Sequence, residues 1–151
     1  MTKAQDTKIE EYQKMVKADF VISEEKLDID SLTSIAQHAK YIGFMIQEKK
    51  ALFDLYKQRK KIESLKYEYY TGRLDSTTMK NLGWTPFPSK ILKSEVQTYL
   101  SQDDDMIQLN HTVQMQEAIV EFLELTIKGI ANRNWCIKNA IEYRKFLHGN
   151  G

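Results

Sequence analysis

The sequence predicts an all-α protein built on two long helices, and three observations predict it. Only 2 prolines and 6 glycines occur in 151 residues, so little interrupts a helix. From Glu24 to Thr71 there is no proline and one glycine, Gly43. Apolar residues recur there at 32, 35, 39, 42, 46, 52, 55, 62, 65 and 69, a helical spacing with slow drift. Near the C-terminus, positions 109, 113, 116, 120, 123, 127, 130, 134, 137, 141 and 144 alternate steps of four and three. That is an a/d seam of the coiled-coil kind.

Taken in order, a short helix is expected over residues 4–17, with Ile9, Tyr12 and Met15/Val16 on one side. "ADFVIS" breaks the pattern, and Ser23 is a candidate N-cap. A long basic helix follows over 24–71 and ends at Gly72, placed as the glycine after a C-cap. A helix of that length exceeds what a compact monomer of this size can bury, so a partner helix, from another subunit, is expected. Residues 73–89 collect Gly83, Pro86, Pro88 and several Ser/Thr, and read as a loop pinned by burial of Trp84 and Phe87. A short helix over 90–100, capped by Ser89 or Ser94, comes next. The acids of "SQDDD" suit the start of the last helix, 106–147. Its seam reads Leu109, Val113, Gln116, Val120, Leu123, Ile127, Ile130, Asn134, Ile137, Ile141 and Arg144. Polar Gln116 and Asn134 stand where register and oligomer state are often set. A second strip (Met106, Ile119, Phe122) widens the face toward that of a bundle or multi-subunit ring. All 151 residues are expected to form one helical domain, with 106–147 as its oligomerisation helix.

Composition excludes some classes. The longest apolar run, "YIGFMI", is too short to span a membrane, and the charged N-terminus has no apolar core of a signal peptide. The single Cys136 cannot form an intrachain disulfide, which points to a reducing cytoplasmic setting; beside Trp135 it reads as a small core residue. His38, His111 and His148 are scattered, and no phosphate-binding glycine loop, HExxH or CxxC occurs. Glu117, Glu121 and Glu124 share a helical side without a nucleophile beside them, and read as a solvated or subunit-facing strip. No catalytic constellation is present, so an enzyme has no support, and no cofactor or metal is expected.

Net charge is +1, but it is segregated. Residues 49–73 hold eight Lys/Arg against three acids, 103–127 hold six acids and no cation, and 128–151 hold five cations against one acid. A polyanion senses the segments, not the average. In the first of them, tyrosines interleave with the cations. Arg59, Lys66, Tyr70 and Arg73 fall on one helical side, and Lys60 and Tyr67 on a neighbouring strip. Phosphates require cations and unpaired bases require aromatic faces, so this mixture suits a single-strand binder. Lysines that merely solvate an outer face, with tyrosines packed in a bundle, would look the same. An oligomeric coiled-coil scaffold without nucleic-acid binding therefore stays open as the alternative.

Three segments then carry a family resemblance. "YEYYTGR" (67–73), "KSEVQTYLSQDDD" (93–105) and "NRNWCIKNAIEYRKF" (132–146) resemble, in order, segments of the UvsY family, the recombination mediators of T4-like tailed phages. "FVISEEKLD" (20–28) is similar as well, and the resemblance covers residues 19–147. It departs where the family's DNA-linked Lys-Ala-Arg reads Ser64-Leu65-Lys66, leaving one cation, and Lys60 and Lys61 are expected to supply the lost charge. The 73–89 loop also differs.

The resemblance implies a protein that binds single-stranded DNA and its cognate single-strand binding protein. It also implies one that loads a RecA-like recombinase, in recombination and recombination-dependent replication and repair, without being an ATPase. It implies a ring-like homo-oligomer, heptameric or nearby, formed through the C-terminal helix, in the host cytoplasm. On this reading Lys60, Lys61, Lys66 and Arg73 hold phosphates, with Lys57 and Arg59 as helpers. Tyr67 and Tyr70 stack on bases.

Overall fold

The computed structural model describes residues 2–149, and no strand occurs among them. Five α-helices follow one another: α1 (Thr2–Asp19), α2 (Leu27–Tyr70), α3 (Ser76–Leu82), α4 (Val96–Gln102) and α5 (Asp104–Leu147), with a 3-10 turn at Glu24–Lys26 before α2. The chain divides into two compact units, Met1–Ala51 with Met115–Gly151, and Leu52–Gln114.

The first unit is a three-helix core. Tyr12 and Ile9 of α1, Tyr41 and Phe44 of α2, and Ile119, Leu123 and Ile130 of α5 pack together. The apolar side of α1 is the one its periodicity predicts. Polar ties set the register. Gln116 donates to the Glu48 carboxylate and to its backbone carbonyl (2.7 and 3.0 Å), and Tyr12 and Lys8 donate to the same carboxylate. Toward the other end, Ser34 donates to Asn134, and Arg133 donates to the Asp30 carbonyl. As α2 numbers rise, their α5 partners fall, so the two helices run antiparallel in this unit.

Much of the seam takes part in these contacts. Val113, Val120, Leu123, Ile130 and Ile137 are buried within one chain, and Leu109, Ile127 and Ile141 are partly so. Gln116 and Asn134 do set a register, but between helices of the same chain. Periodicity identifies the face that must be covered; here the protein's own helices cover much of it. Asn134 and Arg144 are exposed, and Leu109, Ile127 and Ile141 keep part of their surface open. Long α2 likewise finds its partners in α1 and α5.

The second unit closes around the end of α2. Ile62, Tyr67, Tyr69 and Tyr70 pack against Phe87, Ile91, Val96, Leu100 and Met106. Gly72 ends the helix as expected: at φ +71°, it lets the Arg73 N–H reach the Glu68 carbonyl (2.8 Å) and its own N–H reach that of Tyr69. The stretch read as a loop contains α3. Asp75 caps it by accepting from the Thr78 N–H (2.9 Å), and Gly83 (φ +71°) ends it. The short helix expected at 90–100 occupies Val96–Gln102, with Glu95 rather than a serine before it and no side-chain cap. Ser23 makes no side-chain cap either; its N–H donates to the Asp30 carboxylate. Cys136, read as a small core residue, is exposed, as is Trp135 beside it.

Candidate nucleic-acid interface

The basic segment 52–73 contains an inner and an outer set of side chains, which the sequence does not separate. The inner set is a closed network. Asp103 caps α5, accepting from the Met106 N–H (3.1 Å). Its other oxygen accepts from the Tyr70 hydroxyl (2.6 Å) and from Lys66 Nζ (2.9 Å). Lys66 also bonds Asp105 (2.7 Å) and sits 4.3 Å from the Trp84 ring centroid. Lys66 and Tyr70 are both buried. Around them Tyr69, Trp84, Phe87 and Tyr99 form an edge-to-face aromatic cluster with Tyr70.

This geometry bears on two of the expected DNA contacts, Lys66 and Tyr70. The Lys66 charge is spent on two carboxylates and an indole, and it cannot reach a phosphate without leaving them. Tyr70 is buried beside the rings of Tyr69, Phe87 and Tyr99, which leaves little of its ring open to a base. Tyr67 is half-buried in the same cluster. Arg59 also turns inward: its guanidinium lies over the Tyr56 ring (5.1 Å), beside a groove lined by Glu63 and Asn110.

Protonation follows from the packing. Burial works against the charged Asp103, but the bonds from Tyr70, Lys66 and the Met106 N–H outweigh it and hold its carboxyl below the usual range. Burial likewise pulls Lys66 down, yet Asp105 and Asp103 more than reverse this and its ammonium is held above its ordinary value. In the first unit Glu48 is depressed in spite of burial by Lys8, Gln116 and Tyr12.

A pH dependence follows. The depressed carboxylates stabilise the fold above their unfolded values, about pH 4, and that contribution is lost as pH falls through the folded ones. Lys66, being raised, stabilises below its unfolded value of about 10.4 and loses this as pH rises through the folded one. Thermal melts are expected to be level between about pH 5 and 9 and to fall below about pH 4. Asp103→Asn should melt lower at neutral pH and show a shallower acid limb. An acid limb unchanged in Asp103→Asn would show that Asp103 does not titrate in this way.

The outer set carries charge into solvent. At about 100° per residue, Lys57, Lys60 and Ser64 lie within one narrow sector of α2, with Lys61 at its edge. Lys57, Lys60 and Lys61 are exposed. Lys57 makes only a loose, solvent-exposed pair with Asp54 (3.7 Å), of the sort that contributes little. Arg73 is exposed just beyond the helix.

One cation escaped the sequence reading. The Ile91 N–H donates to the Tyr70 carbonyl (3.3 Å), which brings exposed Lys90 to the end of α2. There its methylenes lie against Gly72, where an added Cβ would come 3.2 Å from Lys90 Cγ. Lys90 thus comes beside the residue next to Arg73, although seventeen residues of sequence separate the two cations. No local spacing signals it; only the glycine, small enough for another side chain to cross, hints at a close approach. Among the described residues there is no His/Cys/Asp/Glu cluster suited to a metal ion. No described helix is long and apolar enough to cross a membrane.

Comparison with known proteins agrees with this architecture. Residues 15–150 match the family described as "Recombination, repair and ssDNA binding protein UvsY". The recombination protein uvsY of Enterobacteria phage T4 is 24% identical over 142 residues, covering 94% of this chain and 98% of that protein. A crystal structure of the bacteriophage T4 recombination mediator protein UvsY, lattice type II, superposes with a TM-score of 0.81 at 24% identity, covering 93% of this chain and 97% of that one. The lattice type IV structure gives 0.81 at 23% identity over 91% and 97%, and lattice type III gives 0.70 at 19% over 93% and 97%. The fold and nearly the whole chain correspond, and this chain belongs to the UvsY family of recombination, repair and single-stranded-DNA-binding proteins.

Proposed function

We propose that this protein is a recombination mediator. It binds single-stranded DNA along the outer face of α2 and helps a RecA-like recombinase assemble on strand covered by single-strand binding protein. One observation carries the reading: in a chain of this family, Lys57, Lys60 and Lys61 stand on one exposed side of α2 with no buried carboxylate to neutralise them. Arg73 and Lys90 add charge at the helix end. Such a row attracts phosphates through counterion release, without regard to base sequence.

The protein works as a homo-oligomer on this account, and its contact surface is the exposed apolar stripe of α2 rather than the more buried seam of α5. Leu32 and Ile35 are 79% and 81% exposed, and Ala39 and Ile46 continue the series at heptad spacing. Trp135 and Phe146 are exposed apolar residues of α5. A patch on one helix meeting a different patch on the neighbour's is a heterologous contact, the kind that closes into rings. Weak DNA sites repeated round a ring combine through effective concentration.

Two assays test the reading. Oligo-dT should displace a labelled single strand while duplex of equal length does so poorly. With single-strand binding protein already on the DNA, adding this protein should shorten the lag of the recombinase's DNA-dependent ATPase. Equal competition by duplex, or a lag that does not change, would count against the mediator reading.

A further inference from the structure

Phe53 is the one large aromatic of the basic segment whose ring stands mainly in solvent, 57% exposed. The tyrosines that the sequence offers for stacking are drawn into the second unit's core, so Phe53 is what remains on the outside. It is not a loose side chain. Its ring centroid lies 6.5 Å from that of Tyr56 at a 47° tilt, and the Tyr56 ring in turn lies under the Arg59 guanidinium. One flank of Phe53 is therefore backed by a half-buried ring, while another is open. Helical geometry sets its Cα within about 40° of Lys57 and about 20° of Lys60. An open aromatic face thus lies nearly in line with two exposed ammonium groups, one and two turns further along α2.

We propose that Phe53 is a stacking platform for an unpaired nucleobase, with Lys57 and Lys60, one and two turns further along α2, holding phosphates of the adjoining strand. The inference rests on the single-strand reading above and adds to it a base-contacting residue. It explains why an apolar ring is kept exposed beside lysines. It also makes a chemical distinction. Cations alone would hold any polyanionic backbone, whereas a ring requires a base to lie on it and requires that base to be unpaired. Selection of single strand over duplex is then a property of Phe53 more than of the lysines.

The experiment compares binding of oligo-dT with binding of an equally long abasic oligonucleotide, for wild type, Phe53→Ala and Phe53→Trp, with sedimentation of each. Wild type should prefer oligo-dT. Phe53→Ala should lose roughly five- to a hundredfold in oligo-dT affinity, the range of one base stack. It should keep its abasic affinity, its salt dependence and its sedimentation coefficient. Phe53→Trp should restore the preference. A Phe53→Ala protein that binds oligo-dT as wild type does would overturn the proposal and leave the charge-based reading standing. Equal loss on both oligonucleotides, together with a changed sedimentation coefficient, would make Phe53 a subunit contact, seven residues beyond Ile46, and would also overturn it. If wild type binds neither oligonucleotide, the single-strand reading itself falls and this proposal with it.

Discussion

Lys66→Ala is expected to destabilise the second unit by about 3–5 kcal/mol, the range for removing one partner of a buried ion pair. Lys66 is held by Asp103 at 2.9 Å and Asp105 at 2.7 Å, and its departure leaves the buried Asp103 facing the Trp84 side of the cluster without a counter-charge. Against a typical domain stability of about 5–15 kcal/mol, that is a large fraction. Lys60→Ala, one and a half turns earlier and fully outside, should stay within about 0.5 kcal/mol of wild type. Urea titration of the two variants checks this. A Lys66→Ala protein as stable as wild type but weak on DNA would restore Lys66 to the nucleic-acid surface.

The second large effect is on assembly. Leu32→Glu with Ile35→Glu places two charges on a stripe that is exposed in the single chain, so the fold should survive. Between subunits the same charges would be buried without partners, which is strongly unfavourable. Sedimentation should show the oligomer reduced to single chains, and apparent affinity for a long single strand should fall by about a hundredfold or more as multivalence is lost. Ile130→Glu should instead unfold the first unit, because Ile130 is buried against α1 and α2 in the same chain. If the Leu32/Ile35 variant keeps the wild-type sedimentation coefficient, the stripe is not the contact.

Both predictions depend on facts that local sequence does not contain. The helices were legible because 3.6-residue periodicity, Gly72 and the acids before α5 are local signals. α3 was legible in principle as well, through Asp75 capping Thr78 and through Gly83, but Pro86 and Pro88 a few residues on drew the whole stretch toward a loop. Which partner covers a helical face is a different matter. The 109–141 seam shows that α5 must be covered, and α1 and α2 do much of this from within the chain, an outcome equally compatible with the pattern. Lys66 and Lys60 look alike in sequence. What separates them is Asp103, thirty-seven residues after Lys66 and brought there by the turn through α3 and α4. Lys90 beside Gly72 is hidden for the same reason. The resemblance to a known family implied a kind of site but not which of its cations face outward.

The central claim is that the exposed face of α2, and not the inner network, holds single-stranded DNA. The measurement that tests it most directly is the anisotropy of a labelled oligo-dT over a series of salt concentrations, for wild type, Lys57→Ala/Lys60→Ala/Lys61→Ala and Lys66→Met. Each phosphate contact on a single strand contributes about 0.7 to the slope of log affinity against log salt. The triple variant should therefore bind more weakly, with a slope flatter by about 2. Lys66→Met, while folded, should keep the wild-type slope. A triple variant with an unchanged slope, or a Lys66→Met protein whose slope flattens instead, would contradict the account.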